Sequence, residues 1–331
     1  MSDFRESVSL YTKIGDRYGQ GMSTNNIASL HQILGEYPEA LKSYQQSQAH
    51  FQEIGDRQSM GMSFSNTGSL LLNLGEYDRA AECFASSLEI RNQVGDVFGQ
   101  ATSHYNIGTL KIIHGLFEDA LRSFQQALEL CEKIGDRYAL SGNLIGIGRV
   151  HLARREWDKA QTAMLHAETT AVAINYREAL RKAALGLSEA AMGKHDPGTA
   201  EVKLQEAKDL ALAIGTKTGL AECDMVQGKL LAYRAAGLPA GGTADDQVEA
   251  VRSALDSFES AMRRYEEIGQ RLSVANACEE IANMMEFVLA STSTGDGVGK
   301  DSRWWRDRAN AIFCALGLRH RIYENNTQFD E

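Results

Sequence analysis

The tripeptide Ile14-Gly15-Asp16 returns as Ile54-Gly55-Asp56, Val94-Gly95-Asp96 and Ile134-Gly135-Asp136, at intervals of 40 residues. A fixed period of that length marks a repeat array, in which each unit is one supersecondary element that must stack on its neighbours to bury its apolar face. The period continues in weakened form at Ile174-Asn175-Tyr176 and Ile214-Gly215-Thr216, then returns as Ile268-Gly269-Gln270, 54 residues further on. Asn at 175 is the second choice after Gly for a left-handed backbone position. Halfway through the period stands a second punctuation, Gly35-Glu36-Tyr37, Gly75-Glu76-Tyr77 and Gly115-Leu116-Phe117. Each repeat is thus two helices. A Gly after an apolar residue suits the position just beyond a helix C-terminus and the following Asp suits the next N-cap, so Ile-Gly-Asp is a stop-and-start signal.

Apolar spacing within the repeats agrees. Second helices carry Ala40, Tyr44 and Ser47, then Ala80, Phe84 and Ser87, then Ala120, Phe124 and Ala127, all at i, i+4, i+7. First helices carry a small residue at Ala28, Gly68, Gly108, Gly148 and Gly228. The small residue is expected to let the two helices of a pair approach closely, and the aromatic to fill the gap to the next pair. Composition supports many glycine-closed helices: the 331 residues hold 30 Gly and only 3 Pro, with 43% hydrophobic and 24% charged residues, an ordinary soluble balance.

These features together resemble the tetratricopeptide repeat, in the subtype with 40-residue repeats and an Ile-Gly-Asp linker seen in Pins/Leu-Gly-Asn spindle adaptors and in bacterial signalling proteins. The resemblance implies an all-α, right-handed α-solenoid of about seven antiparallel helix pairs. It is strongest from Tyr11 to Ala167 and weakens beyond Trp157. One array is expected: a half repeat at 1–15, repeats at 16–55, 56–95, 96–135, 136–175 and 176–215, a repeat at 216–269 with an insert loop at 235–246, and a divergent repeat at 270–322 with an insert loop at 291–301. A frayed tail is expected at 323–331. A start inside a repeat is compatible with a regulatory fragment of a larger signalling protein.

Several chemistries are disfavoured. A formal charge of −10 argues against nucleic acid, which calls for an excess of Lys and Arg to displace phosphate counterions. Cys83, Cys131, Cys223, Cys278 and Cys314 are odd in number and scattered, without a C-x-x-C pair, so neither a disulfide framework nor a zinc knuckle is indicated. The eight histidines lack ligand spacing, and His31 and His151 share one repeat position, which points to burial between helices. The string at 295–300 ends like a phosphate loop but has Thr294 and Asp301 where that loop needs Gly and Ser or Thr, and no strand precedes it. Gly146-Ile147-Gly148 falls inside a first helix and reads as a packing site. No metal, no cofactor and no membrane span are expected, and the cytoplasm is the default location. An enzyme with a site at Asp245, Asp246, Asp296 and Asp301 in the insert loops is the alternative from another class.

One polar residue recurs. Asn26, Asn66 and Asn106 occupy the same first-helix position, two residues before the small residue. Asn is a poor helix former, and its amide both donates and accepts, so a repeated Asn suits an extended peptide main chain. In the resembling subtype this position forms an asparagine ladder in the concave groove; the competing expectation is that the amides bond to neighbouring helices. Three residues on, the series runs Ser29, Ser69, Thr109, Arg149, Glu189, Lys229, so small polar groups give way to charges. Residues 1–136 hold 10 basic and 17 acidic residues, 137–240 hold 14 and 11, and 241–331 hold 10 and 16. The basic middle, with Arg149, Lys182 and Lys229, is expected to form a positive patch suited to an acidic segment of a partner. Arg149 pairing with Glu189 across repeats is the competing expectation. The lysines that hold a carboxylate in chaperone-tail repeats are replaced by Asn25, Ser65, Thr102 and Asn106. A non-catalytic scaffold that takes a segment of a partner protein in its groove is the function these residues favour.

Overall fold

A computed structural model describes residues 2–34, 36–236, 244–291, 302–318 and 321. Gly35, Asp296, Asp301, His320, the string at 295–300, the tail at 323–331 and most of both inserts lie outside these residues. The described chain holds fifteen helices and no strand: α1 Ser2–Ile14, α2 Arg17–Ile33, α3 Tyr37–Glu53, α4 Arg57–Leu74, α5 Tyr77–Val94, α6 Val97–Ile113, α7 Phe117–Ile134, α8 Arg137–Ala153, α9 Trp157–Ala173, α10 Arg177–Gly193, α11 Pro197–Ile214, α12 Lys217–Ala236, α13 Ala244–Glu267, α14 Arg271–Ser291 and α15 Ser302–Ala315. Beside the expected inserts, α12 continues to Ala236, α13 starts at Ala244 and α14 runs to Ser291.

The helices pack into two compact units, Met1–Asn143 and Leu144–Glu331. In the first, α2 lies on α3, α4 on α5 and α6 on α7; across pairs, α2 touches α4 and α4 touches α6. In the second, α10 lies on α11, α12 on α13 and α14 on α15, and α10 touches α12, which touches α14. Contact between successive first helices puts them on the tighter side of each stack.

The turns follow the punctuation. From Gly55 to Gly215 a left-handed residue recurs every 20 positions, among them Gly95 at φ 73°, Gly135 at 72° and Gly215 at 75°. Where glycine fails, the backbone keeps the conformation and a side chain bears it: Arg155, Asn175 and His195 stand at φ 57°, 53° and 60°. After Gly15, Gly55 and Gly95 the carboxylates of Asp16, Asp56 and Asp96 accept from the backbone N–H of Gly19, Ser59 and Gly99 at 2.9, 3.1 and 2.9 Å. That is N-capping, repeated at the 40-residue period. A further left-handed glycine, Gly317, ends α15.

The core is built on missing side chains. A Cβ placed on Gly68 would lie 2.6 Å from the Phe84 ring, one on Gly108 2.8 Å from Phe124, and one on Gly228 2.6 Å from Phe258. The rings therefore press on the small residue of their own pair, rather than serving only the gap to the next. Tyr44 does both, since it clusters with Ala28 in its pair and with Leu70 of α4. In α9 the ring is replaced by Met164, which fills the space above both Gly148 and Gly186. The Ser47 and Ser87 hydroxyls donate to the carbonyls of Gly21 and Gly61 at 2.9 and 2.8 Å, tying the helices of a pair where no side chain intervenes.

Opposite substitutions should show what the left-handed positions cost. Gly135→Ala is expected to lower stability by roughly 1 kcal/mol and Arg155→Gly to raise it by up to about 1 kcal/mol, because only glycine adopts that conformation without strain. Urea unfolding midpoints of the two variants check both signs.

Candidate functional site

Tyr18, Met22, Asn25 and Ser29 share one face of α2, and their equivalents 40 and 80 residues on share that face of α4 and α6, since steps of four and three residues return to the same side of a helix. Asn26, Asn66 and Asn106 are half-buried beside this face. Asn66 Nδ2 donates to Asn25 Oδ1 at 3.2 Å, and Asn106 Nδ2 donates to the Ser65 hydroxyl at 3.1 Å. Each amide thus reaches back to the preceding first helix, to the buried residue one position before the ladder residue. An amide carries two N–H groups and two acceptor sites, so one donated bond leaves most of its capacity. Asn26 makes no side-chain hydrogen bond among the described residues. Ser69 and Thr109 are half-buried and donate to the carbonyls of Ser65 and Tyr105 in their own helices, at 3.0 Å each.

The face has a rim of exposed aromatic rings. Tyr18, Phe98 and Tyr138 are 51%, 61% and 58% exposed, two residues after the capping Asp of their helices. The 40-residue register that reveals the asparagines would have revealed these rings, with Gln58 as the exception.

In the second unit the expected cations are placed differently. Lys229 Nζ lies 3.0 Å from Glu189 and 3.2 Å from Glu280, and the two carboxylates push its pKa up. Lys182 lies 3.4 Å from Glu178. Arg149 is exposed and has no ion pair among the described residues. The three do not make a patch of free positive charge, and Glu189 is held by Lys229 rather than by Arg149. Arg181, which sequence reasoning missed, is wholly buried. Its guanidinium makes two bonds to Glu178, at 2.7 and 3.0 Å, and approaches Glu222 at 2.7 Å. Burial alone would lower its pKa, but the two glutamates outweigh that and raise it. Glu178 answers in the other sense: burial raises its pKa, yet Arg181 and Lys182 bring it below the ordinary value.

The remaining reactive groups are occupied or subdued. His31 and His151 each bond through Nδ1 to the glutamate opening the next helix, Glu36 at 2.5 Å and Glu156 at 2.6 Å. Burial holds the thiols of Cys131 and Cys223 protonated, with pKa values pushed up to about 11. Among the described residues no group of three His, Cys, Asp or Glu is placed to hold a metal ion, and no helix is long and apolar enough to cross a membrane.

Comparisons with known proteins agree with this architecture. A family model of the tetratricopeptide repeat matches residues 19–93. No curated protein matches the chain. Among solved structures, the Rap conjugation gene regulator of plasmid pLS20, in complex with the Phr* peptide, superposes with a TM-score of 0.70 at 11% identity, covering 91% of this chain and 75% of that one. The quorum sensor NprR from B. thuringiensis, in its apo form, gives 0.60 at 13% identity, with 95% and 81% covered. A signal transduction ATPase with a tetratricopeptide repeat sensor, from Pyrococcus horikoshii, gives 0.56 at 14% identity, covering 98% of this chain and 45% of that one. At these identities the likeness is one of fold.

Removing Arg181 should unbalance two carboxylates and open a cavity. Arg181→Ala is expected to cost about 2–4 kcal/mol. Because the Glu178 pKa is depressed in the folded state, its contribution is present above the ordinary carboxylate range and is lost as pH falls through the folded value. Stability measured against pH should show this acid limb in the wild type and a shallower one in Arg181→Ala.

Proposed function

We propose that the chain is a non-catalytic interaction scaffold, of the 40-residue Ile-Gly-Asp-linker subtype of tetratricopeptide repeats, which takes an extended segment of a partner protein along the first-helix face of Met1–Asn143. The observation that carries this is the series Asn26, Asn66 and Asn106 with spare amide capacity, flanked by the exposed rings of Tyr18, Phe98 and Tyr138. Amides at a fixed spacing suit the repeating donors and acceptors of a main chain, and exposed rings suit its apolar side chains. Rap and NprR proteins of the same fold are named for peptide complexes and quorum sensing, which favours an adaptor or sensor role in a regulatory assembly.

In the second unit, Arg149, Lys182 and Lys229 remain the residues toward which an acidic side chain of the partner would turn, with Arg149 the one lacking a counter-charge. The match of nearly the whole chain to part of the archaeal ATPase favours a second reading, in which this array is the sensor portion of a larger signalling protein.

The test separates binding from folding. Peptides selected from a displayed random library against the whole chain supply the ligand. Asn26→Ala is expected to leave the unfolding midpoint unchanged and to weaken binding by the worth of one hydrogen bond, roughly 0.5–1.5 kcal/mol. Asn66→Ala and Asn106→Ala should weaken binding and also destabilise the array by a similar amount, since each loses a bond between helices. Arg149→Glu should reduce affinity for an acidic peptide at low salt, and less so as salt screens the pair over about 8 Å. Wild-type affinity in Asn26→Ala contradicts the ladder, and wild-type affinity in Arg149→Glu removes the acidic segment from the account.

A further inference from the structure

The second unit carries a cleft of about 590 Å³, walled by the second helices α9 and α11 and floored by α10. Val172, Leu180, Ala184 and Leu210 give it an apolar interior, and Glu168, Glu206 and Asp209 stand on its edges. Lys203 bridges Glu168 and Glu206 at 3.0 and 2.9 Å. One ammonium against three carboxylates leaves the rim negative.

The repeat supplies its own control for whether this cleft is ordinary. At the position of Ala184 the preceding first helices carry Thr24, Phe64, His104 and Leu144; Ala184 is the smallest of the series, and its floor is correspondingly low. Where Glu168 stands, the two preceding second helices have Leu88 and Leu128. Val172 is 64% exposed at a position that is Gln52, Asn92 and Glu132 in earlier repeats. A bulky residue has become small, a leucine has become a carboxylate, and a solvent-facing polar residue has become apolar, all around one cleft. Stacking alone asks for none of these changes, since the earlier repeats stack without them.

We propose that this cleft is a second docking site, separate from the first-helix face, for a short amphipathic helix of a protein partner that presents Lys or Arg beside leucine-like residues. A groove between two helices with an apolar floor accepts the apolar stripe of a third helix. The excess of carboxylates on the rim selects cationic flanks and disfavours acidic ones, which is the opposite preference from that proposed for Arg149. The occupant is bound by charge and burial together, so neither a purely basic nor a purely apolar peptide satisfies it.

The experiment uses the whole chain and two short fluorescent peptides of helical leucine spacing, one with lysines between the leucines and one with glutamates. Fluorescence anisotropy should show binding of the leucine-lysine peptide and none of the leucine-glutamate peptide. Val172→Gln restores the residue of earlier repeats at an exposed position and should leave folding intact while weakening the lysine peptide about tenfold, the worth of one buried valine side chain. Ala184→Leu, which restores Leu144 at that register, should fill the cleft and weaken it at least as much. No binding of the leucine-lysine peptide to the wild type overturns the site. Equal affinity in Val172→Gln also overturns it, since the peptide is then held only by the general negative charge of the chain.

Discussion

An aromatic ring seated against an absent side chain holds the helix pairs together, and the rest of the structure depends on that contact. Gly68 under Phe84, Gly108 under Phe124 and Gly228 under Phe258 let two helices approach until no Cβ fits between them. The second helix of each pair is thereby drawn onto its first, which leaves first helices free to touch one another across pairs. A face of successive first helices follows, and whatever stands on it repeats at 40 residues. The asparagines and the exposed rings are functional candidates because the packing rule gives them a common address.

The first helices of the two units carry different polar groups. In Met1–Asn143 the recurring groups at the asparagine register are neutral, and their bonds from one first helix to the next are amide to amide or amide to hydroxyl. In Leu144–Glu331 they are charged and largely self-compensating, with Lys229 between Glu189 and Glu280 and Arg181 between Glu178 and Glu222. A neutral face with spare amides suits a main chain of any sequence, whereas a compensated ionic face demands that a ligand break existing pairs or meet the uncompensated Arg149. The division follows residue choice at a few register positions, not a change of fold.

The helix pairs, their capping and the small-residue series were legible because each rests on local backbone chemistry repeated many times. The turns at Arg155 and His195 were not, because no left-handed signal survives in those residues; their conformation is imposed by the packing of the helices on either side. The ring contact was half legible: spacing picks out Phe84 and Phe124, but their contact with the glycine of their own pair follows from how the two helices pack. Arg181 escaped because the register hides a swap of sizes, with Arg181 standing where Gly21 stands and Ala211 where Phe51 stands. Lys229 looked like a free cation since its second partner, Glu280, lies beyond an insertion that breaks the 40-residue count. A pairing across such a break cannot be read from spacing.

The amide series on α2, α4 and α6 is proposed to grip a peptide main chain. The most direct measurement is the side-chain amide nitrogen and proton resonances of Asn26, Asn66 and Asn106, followed while a library-selected peptide is added to the whole chain. All three are expected to move together and to saturate at the affinity measured for the peptide. Three stationary amides, with shifts confined to residues elsewhere, would contradict it.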